Sequence, residues 1–141
     1  MKDKTHFILL MLLSLLLISL TAYSSYQEEH TYDSQLTAKS YQDTIVKQNV
    51  NLVFYKDGCP YCQAAIPRIK KAASDSLVTT FYVNVQTKEG KALVKQYHIN
   101  HSSTLVTIRN GVATVLPYAY DKNNHITVDT NVITKAFQEK E

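Results

Sequence analysis

The two cysteines of the chain, Cys59 and Cys62, are separated only by Pro60 and Tyr61, and they lie where one type of hydrophobic pattern gives way to another. Before them runs NVNLVFY, a short apolar segment rich in β-branched and aromatic residues that predicts a buried strand. After the turn residues Lys56-Asp57-Gly58, the positions Ala65, Ile66, Ile69, Ala72 and Ala73 fall on one face of a helix that starts at Cys59 and ends near Ser74. A strand, a tight turn and a helix therefore meet at a pair of thiols, which fixes the direction of the chain on both sides of them.

Further along, LVTTFYVNV (Leu77–Val85) predicts a second strand and Lys88–Tyr97 a helix with Ala92, Leu93 and Tyr97 inward. Together with the first strand and helix this is a βαβ unit. In TLVTIRNGVATVLPY two strand-like runs flank Asn110-Gly111, a strong short-range hairpin signal that predicts antiparallel neighbours. A polar loop, DKNNH, then precedes a last amphipathic helix over Asn131–Gln138. Upstream, Leu36–Gln48 reads as a helix on the spacing of Leu36, Ala38, Tyr41, Ile45 and Val46. The sum is an α/β domain with a mixed central sheet and helices on both faces.

The first 24 residues read as a targeting segment. Lys2 and Lys4 precede an apolar run from Phe7 to Leu20 interrupted only by Ser14 and Ser19, and Ala22 and Ser24 offer small residues for cleavage. Extended through Tyr23, the run approaches the lower limit of about 17 residues for a membrane span. Both a cleaved signal peptide and a retained transmembrane anchor fit, and no cysteine follows the run to accept a lipid. The flanking lysines favour a cytoplasmic N-terminus, so the remainder is expected outside the cytoplasm, at the cell membrane or secreted. Residues 25–35 read as a polar tether and residues 36–141 as the folded domain. A net charge of +3, including those two lysines, offers no electrostatic surface for nucleic acid.

A pair of cysteines in an exported chain is normally a disulfide-forming pair. At a helix start the first thiol meets unsatisfied backbone N–H groups and the positive end of the helix dipole, which favour its thiolate. Cys59 is thus the expected nucleophile and Cys62, one turn further in, the resolving thiol. Pro60 suits the first helical turn, where its missing N–H costs nothing, and Pro60 and Tyr61 are the residues expected to tune the pair. Lys56 and Asp57 read either as charges acting on Cys59 or as a polar turn.

The order strand, CPYC, helix, strand, helix, hairpin and helix resembles the thioredoxin-like superfamily over Leu36–Glu141. Pro67, five residues after Cys62, stands where family members carry a helix-kinking proline, and YHINHSSTLVTIRNG (Tyr97–Gly111) is similar to the family's stretch from helix end through the active-site loop to the hairpin. The resemblance implies a membrane-targeted, extracytoplasmic thiol–disulfide oxidoreductase with a substrate-binding loop at Ser102, Ser103 and Thr104. It further implies cysteine-containing exported proteins as partners, a membrane redox partner, and no organic cofactor.

Three positions depart from the family pattern. Ser103 replaces the cis-proline that faces the dithiol, and because a non-proline cis bond costs about 2.5–4 kcal/mol a trans loop is expected. Val53 replaces a buried acid that helps deprotonate the resolving cysteine, and Gly58 replaces the tryptophan before the first cysteine. YKDG-CPYC also looks locally like glutaredoxins, but the chain lacks their Thr-Val-Pro and Gly-Gly-Asp stretches, so no glutathione groove is carried over. Competing uses of the same residues are a static disulfide, a membrane-tethered binding module without redox activity, and a metal site of Cys59, Cys62, His98 and His101. Among the ten tyrosines, Tyr118 and Tyr120 near Pro117 read as core packing or as an aromatic substrate patch.

Overall fold

The computed structural model describes residues 2–30, 32, 36–44 and 49–138. It separates into two units, one ending at Thr31 and the other beginning at Tyr32. The first is the helix α1 (Lys2–His30). Within it, His6–Ser24 is the helical stretch long and apolar enough to cross a membrane among the described residues, and Ser14, Ser19 and Thr21 return their hydroxyls to carbonyls three residues back. An apolar helix can therefore carry these polar residues without leaving a donor unpaired.

The second unit is built on β1 (Val50–Tyr55), β2 (Thr79–Asn84), β3 (Thr104–Arg109) and β4 (Val112–Pro117), which form a sheet in the order β2-β1-β3-β4. β1 and β2 are parallel, with Val53 opposite Tyr82. Parallel neighbours need a crossover, and α3 (Pro60–Ser74) supplies it. β3 runs antiparallel to both β1 and β4. Asn110 and Gly111 join β3 to β4 with φ of 49° and 79°, the double positive φ of a two-residue type I′ hairpin. The mixed sheet and its hairpin are as the sequence predicts.

Alternation along β1 sorts the core into two layers. Val53 and Leu105 face Ala65, Ile66 and Ile69 of α3 and Ile133, Ala136 and Phe137 of α5 (Thr130–Gln138). Leu52, Phe54 and Val106 face Ala38 and Tyr41 of α2 (Ala38–Asp43) and Leu93 of α4 (Lys88–Gln96). Strands buried on both faces read as unbroken apolar runs, which is why NVNLVFY carries no alternation. Arg109 ties the layers together, donating to the Val50 and Ala136 carbonyls and to Asn51 Oδ1. A cation here also meets the negative end of α5.

Several elements differ from the sequence reading. α2 covers only Ala38–Asp43, and Ile45 and Val46 lie outside the described residues. On α4, Ala92 is exposed and Val94 packs on the core in its place, beside Leu93 and Tyr97, which face inward as read. The segment read as a polar loop is a second hairpin of β5 (Ala119–Lys122) and β6 (His125–Val128). Its turn residues Asn123 and Asn124 both have positive φ, a conformation that asparagine tolerates better than most residues. Tyr32, within the stretch read as a tether, is buried in the first core layer. β4 forms an open edge, and most of its side chains, Val112 and Val115 included, are exposed. At the other edge, Leu36 accepts a hydrogen bond from Tyr82 N–H and Thr37 bridges to the same residue.

Gly90, in the first turn of α4, packs so close to the end of β2 that a Cβ would collide with the Asn84 carbonyl. Gly90→Ala is expected to destabilise the fold by about 1–3 kcal/mol through overpacking. The check is a urea unfolding midpoint that falls while the slope is unchanged.

Candidate active site

The paired thiols sit at the carboxyl end of β1. Cys59 N–H donates to the Lys56 carbonyl at 3.2 Å, closing a turn whose third residue, Gly58, has φ of 71°. That is the geometry of a type II turn, which calls for glycine at this place. A tryptophan here would be strained, so Gly58 belongs to the turn rather than standing as a simple loss of the family's aromatic residue. The Asn84 amide donates to the Asp57 carboxylate at 2.8 Å, and Asp57 N–H donates to Gln86 Oε1 at 3.0 Å. Asp57 thereby holds the turn against the end of β2.

Cys59 is the N-cap of α3 and Pro60 its first helical residue. The capping atom is sulfur: Cys59 Sγ accepts from Cys62 N–H at 3.3 Å. The two thiols are free, and Cys62 Sγ donates to Cys59 Sγ across 2.8 Å. Ser102 spans both, with its Oγ 3.5 Å from Cys59 Sγ and 3.7 Å from Cys62 Sγ.

The two thiols ionise unequally. Partial burial works against the Cys59 thiolate, but hydrogen bonds from the Cys62 thiol, the Ser102 hydroxyl and the backbone at Cys62 and Tyr61 outweigh it, so Cys59 lies below an ordinary thiol. Cys62 is buried and lies above one: desolvation raises it, and so does the hydrogen bond it gives to Cys59. The Lys56 backbone, Tyr118 and Ser102 pull it partway back. Of the two sulfurs, the more exposed one is the easier to ionise.

Of the expected loop residues, Ser102 presents its side chain to the thiols. Ser103 and Thr104 are buried, and their hydroxyls donate to the Ala119 and His101 carbonyls. Tyr118 N–H donates to the Ser103 carbonyl at 3.0 Å, so the loop is fastened to the start of the second hairpin on both sides of its residue. The described residues contain no cis peptide bond. Together with Asp57, Tyr61, His101, Tyr120 and Asp121, Cys59 lines a cleft of about 650 Å³. Val53 is fully buried in the same core layer as Cys62.

Among the described residues, no group of three or more His, Cys, Asp or Glu is placed to hold a metal. His101 lines the cleft, while His98, exposed with φ of 52°, ends α4. The four-residue metal set is therefore not assembled. Tyr118 is fully buried, which removes it from an aromatic surface patch, whereas Tyr120 is 38% exposed. Of the residues near Cys62, Tyr32 escaped the sequence reading, and Tyr118 was read as core packing or a surface patch without being linked to the thiols. The Tyr32 hydroxyl lies 3.1 Å from the Cys62 carbonyl and 3.2 Å from the Tyr118 hydroxyl, with one proton to share between them. Neither residue carries a local motif that would have marked it.

A parallel strand, a CxxC at the start of the crossover helix and a hairpin on the far side of that strand define a thioredoxin-fold redox site. The thioredoxin family pattern matches residues 33–129. The chain belongs to the thioredoxin family. It is 32% identical to a protein disulfide-isomerase of Ricinus communis over 112 residues, which is 75% of this chain and 22% of that protein. It is 30% identical to bloodstream-specific protein 2 of Trypanosoma brucei brucei over 91 residues, 64% of this chain and 18% of that one. The chain thus spans about a fifth of the length of these curated relatives. The reduced thioredoxin pre-protein of Schistosoma mansoni superposes with a TM-score of 0.50 at 17% identity, covering 74% of this chain and 99% of that one. That likeness is one of fold.

Because Cys59 lies below an ordinary thiol, its alkylation by iodoacetamide is expected to stay fast as pH falls below about 8.5, where a free cysteine loses its thiolate. Ser102→Ala removes one donor to that thiolate. It is expected to move the profile to higher pH and slow alkylation at neutral pH about two- to fivefold, a modest loss because the sulfur is partly solvated.

Proposed function

We propose that the chain is an extracytoplasmic thiol–disulfide oxidoreductase acting on cysteine-containing exported proteins through Cys59 and Cys62. One observation carries the reading: two free thiols 2.8 Å apart at the start of α3, with the outer one favoured as thiolate and the inner one held as thiol. A static structural disulfide has no use for that asymmetry, and a ring of this size constrains little chain. Exchange requires it.

In the reductive direction the Cys59 thiolate attacks a substrate disulfide and one substrate sulfur leaves as a thiolate. The mixed disulfide on Cys59 is then attacked by Cys62 once its proton is lost. The second substrate sulfur departs, and Cys59 and Cys62 are left joined. In the oxidative direction the same steps run backwards. Pro60 and Tyr61 shape the turn that bears the nucleophile, and the cleft beside Ser102, Ser103 and Thr104 receives the substrate chain.

α1 supports membrane delivery, since its apolar stretch of 19 residues, His6–Ser24, follows Lys2 and Lys4. The reading gives the domain an extracytoplasmic position, at the membrane through α1 or released from it by cleavage. Each catalytic cycle leaves the pair in the opposite oxidation state, so a membrane redox partner is part of the proposal.

In cells, Cys62→Ala is expected to accumulate mixed disulfides with exported proteins on Cys59, and Cys59→Ala to accumulate none. Recovering no adduct under acid-quenched alkylation would refute the mechanism. Equilibration of the full-length protein with defined thiol buffers gives the direction. A potential near about −120 to −180 mV is that of a disulfide donor or isomerase, and one near about −270 mV that of a reductant.

A further inference from the structure

Resolution of the mixed disulfide requires the Cys62 thiol to give up its proton, and the strand position where the family pattern carries an acid for this task holds Val53, apolar and fully buried. The tyrosines beside Cys62 are no substitute. Tyr118 donates its proton to the Phe54 carbonyl at 2.9 Å, and Tyr32 shares its own between the Cys62 carbonyl and the Tyr118 hydroxyl. Burial keeps both protonated far above neutral pH, so neither acts as a base. Within reach of the Cys62 proton lie Cys59 Sγ at 2.8 Å and Ser102 Oγ at 3.7 Å. Ser102 in turn donates to Cys59 Sγ at 3.5 Å. One hydroxyl thus accepts from the inner thiol through a lone pair and gives its single proton to the outer sulfur. Both bonds change in the mixed disulfide. Cys59 is then a neutral, twice-bonded sulfur and a weak acceptor, so the Cys62 proton loses its nearer partner. The Ser102 proton is released towards the cleft that Ser102 and Cys59 line together.

We propose that Ser102 is a catalytic residue of the resolving step, taking the Cys62 proton on its oxygen while its own proton passes into the cleft, to the departing substrate sulfur. This role rests on the exchange reading above and deepens it, since it supplies the proton path that the resolving thiol needs. No ionised serine is formed, because one proton arrives as the other leaves. The step balances without a further reagent. Cys62 sulfur bonds to Cys59 sulfur, the bond from Cys59 to the substrate sulfur breaks with its electron pair on the substrate, and that sulfur receives the proton from Ser102. Cys59 and Cys62 end as the disulfide, the substrate as a thiol, and Ser102 as it began.

The test mixes the reduced full-length protein in detergent with hydroxyethyl disulfide, an uncharged alkyl disulfide, at a concentration where capture outruns resolution. Acid quenching and mass measurement then follow the reduced, adducted and oxidised protein. Adduct formation reports attack by Cys59, and adduct loss, which does not depend on reagent concentration, reports resolution by Cys62. In Ser102→Ala adduct loss is expected to slow about tenfold at neutral pH, less than a fully positioned acid–base group supplies because water in the cleft takes over part of the task. Adduct formation slows only by the about two- to fivefold of a lost donor to Cys59. The deficit in adduct loss is expected to close as pH rises through the range in which the Cys62 thiol ionises to solvent unaided. A serine that merely held the loop in place would leave a deficit at every pH. Ser102→Thr, which keeps the hydroxyl, is expected to restore both the rate and its pH profile. Circular dichroism establishes that each variant is folded, and Ser102→Gly takes the place of the alanine variant if that one is not. Adduct loss in the folded, hydroxyl-free variant that matches the wild type, or a deficit that does not change with pH, would overturn this proposal alone. A wild-type protein whose adduct never gives way to the Cys59–Cys62 disulfide would overturn the exchange reading, and this proposal with it.

Discussion

The redox chemistry of the molecule depends on one short junction, the four residues in which β1 ends and α3 begins. A strand in the middle of a sheet delivers the chain to a fixed point, and Gly58 turns it there with a backbone conformation few other residues adopt. Cys59 then occupies the cap, where its sulfur receives the amide of Cys62. Helix initiation and thiolate stabilisation are thus the same hydrogen bond. The turn is pinned from outside by Asn84 and Gln86 at the end of the neighbouring parallel strand, so the βαβ crossover that builds the fold also stiffens the site.

Opposite the junction, the loop carrying Ser102 is held with equal economy. Ser103 offers its carbonyl to Tyr118 N–H and its hydroxyl to the Ala119 carbonyl. A serine can therefore fasten a loop through its own side chain where a ring would have restricted it through backbone geometry. The neighbouring Ser102 is left free to touch both thiols. Ser103 and Ser102 divide the work of holding the loop and addressing the sulfurs.

The parts of this arrangement that are local in sequence were legible there. Unbroken apolar strands, the Cys59–Cys62 spacing, the face of α3 and the Asn110-Gly111 turn each follow from residues within a few positions of one another. The β5–β6 hairpin was not, because its strands are short and mostly exposed and its turn is Asn-Asn amid polar neighbours, a composition shared with any loop. Tyr32 was hidden for a different reason. It stands alone in a polar stretch without periodicity, and only the folded sheet brings it against Cys62, 30 positions away. Ala92 was placed inward because alanine suits either side of a helix, and the packing around Leu93 settles the face. The site is thus half local motif and half long-range assembly, and the second half has no signature within a window of sequence.

The open edge of the sheet carries its own consequence. Among the described residues β4 pairs with β3 on one side only, is six residues long, and bears no charge between Val112 and Pro117. Its outer amides and carbonyls form a template to which another extended chain can add, and the usual guards of such an edge are lysine, proline or brevity. Here only the proline at the end of the strand stands guard, since β4 is as long as its neighbours in the sheet. Variation along 112–116 is therefore limited less by the folding free energy, which exposed side chains scarcely affect, than by colloidal behaviour, the tendency of copies to join edge to edge at high concentration.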